Sequence, residues 1–428
     1  MTSQIVHSNG IYHGLPTFPE SIKGLTAIIT GSNGISGYHM LRVLAQAPER
    51  WTKIYCLSRR PPAIPGGLPP NATHIACDFL KSPKEIADVL TKEGVKADHV
   101  FFYSYVQVPP KPGGGLWSDN DEMCRVNKAL LANFLDAMEI ASIKPKRIML
   151  QTGAKNYGVH LGPTKMPVEE WDPRVELEPN FYYPQEDVLW EYCKKRDIGW
   201  AIGMPASIWG AVPDAAMNVG LPLAIYATVC KHLNEPLAFF GDQAAWQAVV
   251  VQSSAMMNGY LEEWAVLTEA ATNQKFNACD NSAFSNESFW PRFAGWYGID
   301  WTGPQTEGLK EAEWGYDPPP RGYGARGKSR WSFTLVEWAN KPEVQKAWNE
   351  IAQQHDLVLK ELTDIDRIFG FGQRFVIRGG SFIMSMDKSR KLGWHGFVDS
   401  TECILEVFQD FVGLKMIPPL PLKEVKFL

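Results

Sequence analysis

Residues Leu25 to Thr30 read LTAIIT, a short apolar and β-branched run, and from Tyr38 to Gln46 the apolar positions fall at helical spacing. The first pattern predicts a buried strand and the second a helix. The alternation recurs down the chain. TKIYCLSRR and ATHIACDFL predict second and third strands, ADHVFFYSYV a fourth, PKRIMLQTG a fifth and IGWAIGMPASIWG a sixth. Between them, KSPKEIADVLTKEG predicts a helix that starts at Ser82-Pro83, where proline fits the first helical position. DNDEMCRVNKALLANFLDAMEIA predicts a longer one. Strands alternating with helices specify an α/β fold with a doubly wound, mostly parallel sheet. After Gly210 the rhythm changes. MNVGLPLAIYATVCKHLNE predicts an apolar helix away from the sheet, and NQKFNACDN one more strand returning to it. VEWANKPEVQKAWNEIAQQHDL and residues 400–412 predict further helices. Asp317 to Arg326 is turn-rich and expected on the surface.

The strand and helix at the start are joined by TGSNGISG, in which Gly31, Gly34 and Gly37 are spaced G-x-x-G-x-x-G. Glycines at a first βα turn let the backbone approach a pyrophosphate, and the helix behind them presents free N–H groups and a positive dipole end. A Rossmann dinucleotide site is therefore expected at Gly31, Ser32, Asn33, Gly34, Ile35 and Gly37. The second strand ends in Ser58, Arg59 and Arg60 rather than in an acid. Arginine pairs with a 2′-phosphate through a charged fork, which points to NADPH/NADP+. Asp78, after the third strand, sits where such folds hold the adenine; it could equally cap the next turn. The expected organisation is a Rossmann core over 1–210, with a return segment near 240–280, and a smaller, mostly helical substrate-binding lobe over 211–428.

Composition narrows the partners. Of 428 residues, 45% are hydrophobic and 21% charged, with net charge −5. No basic field favours nucleic acid. No stretch approaches 18 uncharged apolar residues, so no membrane span is expected. Seven cysteines, scattered and never in a C-x-x-C pair, argue for a reducing compartment and against a disulfide framework. With no secretory signal in MTSQIVHSNGIYHGLP, a cytoplasmic location is expected. The histidines lack ligand spacing, and no metal is expected. The 16 Trp and 21 Phe fit a bulky core or an apolar pocket.

None of the fourteen tyrosines has lysine four residues later, so the usual short-chain dehydrogenase Tyr-x-x-x-Lys helix is missing. Lys155 instead stands just past the fifth strand in LQTGAKNYG, and Tyr182-Tyr183 open the following helix in NFYYPQED. The C-terminal edge of a parallel sheet is where ligands bind, so a strand-end lysine and a helix-start tyrosine could meet a cofactor there. These two stretches, with the glycine turn, the Arg59-Arg60 pair, CDF at Cys77, MNVGLPLAIYATVCKH, AAW at Trp246, KFN at Asn277 and SMDKSR…GWHGFVDS, resemble the progesterone 5β-reductase/iridoid synthase-like (PRISE) group of extended short-chain dehydrogenases over most of the chain.

The resemblance implies that Lys155 and Tyr182 are catalytic, with Tyr183 in a supporting role. It also implies NADPH-dependent 1,4-reduction of an enone or enal. The remaining strand ends, Tyr103, Thr152, Gly153, Pro205, Ala206 and Ile208, complete the expected cofactor contacts. Tyr105, Asn127, Tyr183, Met217 and Trp246 are the expected substrate-pocket residues, although an interior helix Asn127 could serve packing, and Met217 and Trp246 could be core. Glu186 and Asp187 read as acids favouring the helix start. The family's tryptophan after the fourth strand is Tyr105 here, and its RPG after the sixth is Met204-Pro205-Ala206. A hydrophobic substrate other than the plant steroids and monoterpenes is therefore expected. The longer stretch from Gly303 to Trp338 is expected to reshape the pocket or an oligomer contact, and a homodimer stays open. The alternatives are a carbonyl reductase using the same pair, a non-redox cyclase or isomerase retaining the nucleotide, and a cofactor sensor.

Overall fold

The computed structural model describes residues 5–113, 117–314 and 326–422. The surface excursion expected from Asp317 to Arg326 lies, but for Arg326, outside the described residues.

Seven parallel strands form the central sheet: β1 (Leu25–Thr30), β2 (Trp51–Ser58), β3 (Ala72–Ala76), β4 (His99–Phe102), β5 (Arg147–Gln151), β6 (Gly199–Pro205) and β7 (Gln274–Ala278). Their spatial order is β7-β6-β5-β4-β1-β2-β3. The apolar runs are continuous because both faces of such a sheet are covered; β4, HVFF, is buried at all four positions. β1 lies between β2 and β4, so the chain winds outward in opposite directions from it. The loops after β1 and β4 therefore part and leave a crevice at the C-terminal edge.

Helices α1 (Ile35–Ala45), α2 (Pro83–Lys92), α3 (Asn120–Ile140) and α4 (Tyr182–Arg196) follow β1, β3, β4 and β5. The Ser82 start of α2 forms a capping box with Glu85. Beyond the sixth strand come α5 (Gly220–Leu233), α6 (Ala255–Leu267), α7 (Asn286–Tyr297), α8 (Pro342–Gln354), α9 (Ile365–Ile377) and α10 (Ser400–Gly413). α6 packs on α1, against β5 and β6, and leads into β7. α5 packs with α7, α8, α9 and α10 in the lobe.

The aromatic wealth goes largely into the interior. Trp51, Trp209, Trp264, Trp290, Trp348 and Trp394 are among the largest fully buried side chains. In the lobe, Phe289, Trp290, Phe293 and Trp296 of α7 form mutual ring contacts, and Phe408 of α10 joins them. Within the 303–338 stretch, Lys310–Trp314 and Gly327–Trp331 pair as an antiparallel hairpin, and Trp331 bridges to Gly241. Among the described residues no helix is long and apolar enough to cross a membrane.

Candidate active site

Two glycines of the turn after β1 are dictated by the backbone. Gly31 has φ +62°, and a Cβ there would lie 3.0 Å from the carbonyl carbon and oxygen of Tyr103. A Cβ on Gly37 would lie 2.4 Å from the Gly31 carbonyl oxygen. Gly34 is the extended N-cap of α1. The turn thus hugs β4 and the first turn of α1, whose leading N–H groups have no intrahelical acceptor. Beside it opens a cleft lined by Gly31, Asn33, Ser58, Arg59, Asp78 and the segment from Ser104 to Val106, among others. Its adjoining groove is lined by Arg59, Asp78, Lys81 and Glu85. The glycine cradle fits a nicotinamide dinucleotide.

Several expected cofactor residues have their side chains engaged by the protein itself. Ser32 is fully buried, and its hydroxyl meets that of Ser58 at 2.9 Å, which ties the glycine turn to the end of β2. Ser58 also donates to the carbonyl of Arg60 at 2.6 Å. Arg59 is exposed at the cleft, whereas Arg60 pairs with Asp214 at 3.3 Å, and Asp214 also receives Arg367 at the start of α9. Asp78 lines the cleft and accepts from the Leu80 N–H at 3.0 Å, which caps the turn after β3. Tyr103 does not offer its hydroxyl to the crevice: it donates to the buried Glu262 of α6. Burial pushes the Glu262 carboxyl up to about 8.

The end of β5 and the start of α4 form the centre. Thr152 is held to β6 through its N–H and the Gly203 carbonyl, 2.8 Å apart. Pro205 closes β6. Ala206 donates its N–H to Ser253 at 2.9 Å, and Ile208 pairs with Ser253 in a short parallel bridge. Lys155 lies in the 3₁₀ turn Ala154–Tyr157 and is 7% exposed. Its Nζ stands 5.0 Å from the centroid of the Trp117 ring and 5.5 Å from that of Phe181. Among the described residues no carboxylate lies within ion-pair distance. Burial lowers the ammonium to about 8, against the opposing pull of Cys124 and Glu178. Tyr182 is half-buried at the first position of α4, its ring 4.5 Å from Phe181. A Cβ on Gly153 would lie 3.0 Å from its hydroxyl oxygen. That hydroxyl makes no hydrogen bond among the described residues, and burial raises its pKa well above that of free tyrosine.

Asn180, quoted in the sequence motif but given no role there, joins these pieces. Its Nδ2 donates to the Lys155 carbonyl at 3.0 Å, and its Oδ1 accepts the Tyr182 N–H at 3.2 Å. Tyr105 borders the same space. Its hydroxyl accepts from Trp117 Nε1 at 2.9 Å and donates to Gln107, and its ring lies 5.6 Å from Phe181.

Three expected pocket residues are placed otherwise. Asn127 is fully buried and its amide is consumed by backbone: Oδ1 accepts the Val106 N–H, and Nδ2 donates to the carbonyls of Val106 and Met123. It shapes the loop after β4, which is the packing role. Tyr183 donates to the Asn156 carbonyl and accepts the Val175 N–H, both at 2.8 Å. Trp246 packs between Phe239 and Trp301 in the lobe. Met217 is half-buried in the loop before α5, and no described contact links it to Tyr182. Glu186, read as a helix-start acid, is wholly buried, receiving Arg174 at 3.0 Å, Lys275 at 2.7 Å and Asn156 at 3.0 Å. Cys77 and Phe79, quoted above only within the CDF motif, also line the clefts, as do Lys81, Ser104, Val106 and Leu130, which the sequence did not single out.

Comparison with known proteins bears on this geometry. Residues 27–338 match the family described as the PRISE-like Rossmann-fold domain. A 3-oxo-Delta(4,5)-steroid 5-beta-reductase from Arabidopsis thaliana is 29% identical over 407 residues, covering 92% of this chain and 93% of the relative. An (S)-8-oxocitronellyl enol synthase, CYC2, from Camptotheca acuminata is 28% identical over 405 residues, covering 92% and 93%. Among solved structures, a UDP-glucose 4-epimerase from Thermotoga maritima superposes with a TM-score of 0.56 at 12% identity, covering 91% of this chain and all of that one, a likeness of fold alone.

Proposed function

The chain belongs to the PRISE-like Rossmann-fold family of the short-chain dehydrogenase/reductase type, and from that premise we propose that it is an NADPH-dependent reductase of conjugated enones or enals. The observation that carries the reading is the placement, at the C-terminal edge of β5, of a tyrosine hydroxyl that makes no hydrogen bond among the described residues and of a desolvated lysine ammonium. Both are fixed by Asn180 and walled by Phe181. A 3-oxo-Δ4,5 group, as in the name of the steroid reductase, is a conjugated enone, and this supports the substrate class.

The bound nicotinamide would supply hydride to the β-carbon. As that bond forms, the C=C π electrons shift toward the carbonyl and negative charge gathers on its oxygen. Tyr182 donates its hydrogen bond to that oxygen, in a site whose aromatic walls exclude water and strengthen the interaction. Lys155, still largely charged at pH 7, stabilises the same charge and holds the tyrosine proton in place. The α-carbon then takes up one proton, which completes the saturated carbonyl. Arg59 and Lys81 would receive a 2′-phosphate, and the turn from Gly31 to Gly37 the pyrophosphate.

The test follows NADPH consumption with cyclic enones, enals and their saturated ketones, with products identified by mass spectrometry. Saturated carbonyl products that vanish in Tyr182→Phe are expected. Alcohol products would move the reaction to the carbonyl carbon, and tight NADPH binding without consumption would end the redox reading.

A further inference from the structure

Of the seven cysteines in the chain, one stands apart. Cys56, Cys77, Cys193, Cys230, Cys279 and Cys403 are buried, whereas Cys124 is half-buried in the second turn of α3. A buried structural thiol is inert, and reactivity needs access. Burial raises the Cys124 pKa, the Lys155 ammonium opposes that rise, and Asp121 adds to it. The chemistry described above makes no use of this thiol.

Its neighbours are those of the catalytic pair. Phe181 forms a small buried apolar cluster with Met123 and Val126 of α3, and Cys124, Trp117 and Tyr182 all pack against that cluster. The Lys155 side chain points to the same place. It is 7% exposed, and its Nζ stands 5.0 Å from the Trp117 centroid and 5.5 Å from that of Phe181. Among the described residues this ammonium has no hydrogen-bond or ion-pair partner. Of the two groups whose charge acts on it, Cys124 acts more strongly than Glu178. An ammonium removed from water costs free energy unless a ligand oxygen meets it. The thiol therefore shares its surroundings with a cation and a phenol that both await the oxygen of an incoming carbonyl.

We propose that Cys124 is a covalent modification site for α,β-unsaturated aldehydes and ketones. The thiol gives up its proton, and the thiolate sulfur adds to the β-carbon. As the S–C bond forms, the C=C π pair moves onto the carbonyl as an enolate, whose oxygen meets Lys155 and Tyr182. The α-carbon then takes up one proton. Thiol and alkene thus combine into a saturated thioether carbonyl, with no atom lost and no NADPH oxidised. The adduct fills the space beside the catalytic pair and stops reduction. The choice of electrophile rests on the enone reductase reading, since a site that draws conjugated carbonyls to Lys155 draws them to this thiol as well.

The probe is cyclohex-2-en-1-one, given to the NADP+-loaded protein and followed by intact mass and peptide mapping. A single adduct is expected, on Cys124, forming about 10-fold or more faster than at any of the buried thiols. Cyclohexanone, which lacks the alkene, should slow the labelling by occupying Lys155 and Tyr182, and Lys155→Met should slow it as well. Enone reduction should fall in proportion to the labelled fraction. Cys124→Ala should reduce enones and keep its activity after the same exposure. Adducts spread evenly over the cysteines, no adduct at Cys124, or a labelling rate moved neither by cyclohexanone nor by Lys155→Met overturns the site. A Cys124 adduct with both dependences, in a protein that consumes no NADPH, keeps the site and sinks the reductase reading. NADPH consumed with enones while Cys124 stays unmodified does the opposite.

Discussion

The first turn of α4 has two sides, and they are built on opposite terms. On one side Tyr183, Asn156 and Glu186 satisfy one another and the backbone, with Arg174 and Lys275 closing the network. On the other, one residue earlier, Tyr182 and Lys155 lie among Phe181, Trp117 and Tyr105, with no hydrogen bond or ion pair to their polar tips among the described residues. The two tyrosines are adjacent in sequence and chemically identical. What separates them is what the fold offers to each hydroxyl. A buried polar group that has found its partners holds structure together, and one that has not is held ready for a ligand.

Tyr182→Phe tests the unsatisfied side most severely. It removes a group needed only as charge develops, so kcat should fall by about 10²–10⁴-fold with little change in melting temperature. Tyr183→Phe should do the reverse, leaving kcat nearly intact and lowering stability by about 1–3 kcal/mol in urea denaturation, since the Val175 N–H and Asn156 carbonyl lose their partner. A large kcat loss in both, or in neither, would erase the distinction.

On the satisfied side, Glu186→Ala removes the buried acceptor that Arg174, Lys275 and Asn156 share, although Arg174 keeps Asp187 at 2.8 Å and Asn156 keeps Thr152 at 3.1 Å. It should lower stability by on the order of 3 kcal/mol, read by the shift in the denaturation midpoint.

Lys155 sharpens the contrast through pH. Its ammonium is depressed to about 8, so kcat/KM should hold on the acidic side and decline as pH rises through about 8, when the proton leaves. Lys155→Met should be slower throughout and lack that alkaline limb. The smallest effect expected is from Gly153→Ala. The new methyl group would press on the Tyr182 hydroxyl at 3.0 Å and displace it slightly. A loss of about 10-fold in kcat with unchanged cofactor affinity is expected, well within what misplacement of a catalytic group costs.

The elements that were legible in the sequence are those whose cause is local. Continuous apolar runs mark β1, β4, β5 and β6 because such inner strands are covered on both faces. Gly31 and Gly37 announce a turn because the constraint sits in their own backbone and its immediate neighbours. The strand-end lysine and helix-start tyrosine stood out by position. Illegible were the partners that come from far along the chain. Nothing in the motif NFYYPQED says that Lys275 will reach Glu186, or that Glu262 will receive Tyr103 and turn it from the cofactor. Asn127 read as either pocket or packing because its fate depends on a loop 21 residues earlier. Arg378 reaches the Val159 carbonyl from 219 positions away, and no periodicity connects them.

The bridge from Arg60 through Asp214 to Arg367 has a consequence for cofactor choice. Asp214 is a resident anion already at the end of β2. A 2′-phosphate that enlists Arg60 must compete with that tethered carboxylate, so discrimination between the two dinucleotides reflects an exchange of anions as well as an attraction. Salt screens both contestants. Arg367, which shares Asp214, stands in the first turn of α9, so the tethered carboxylate also ties the end of β2 to the lobe.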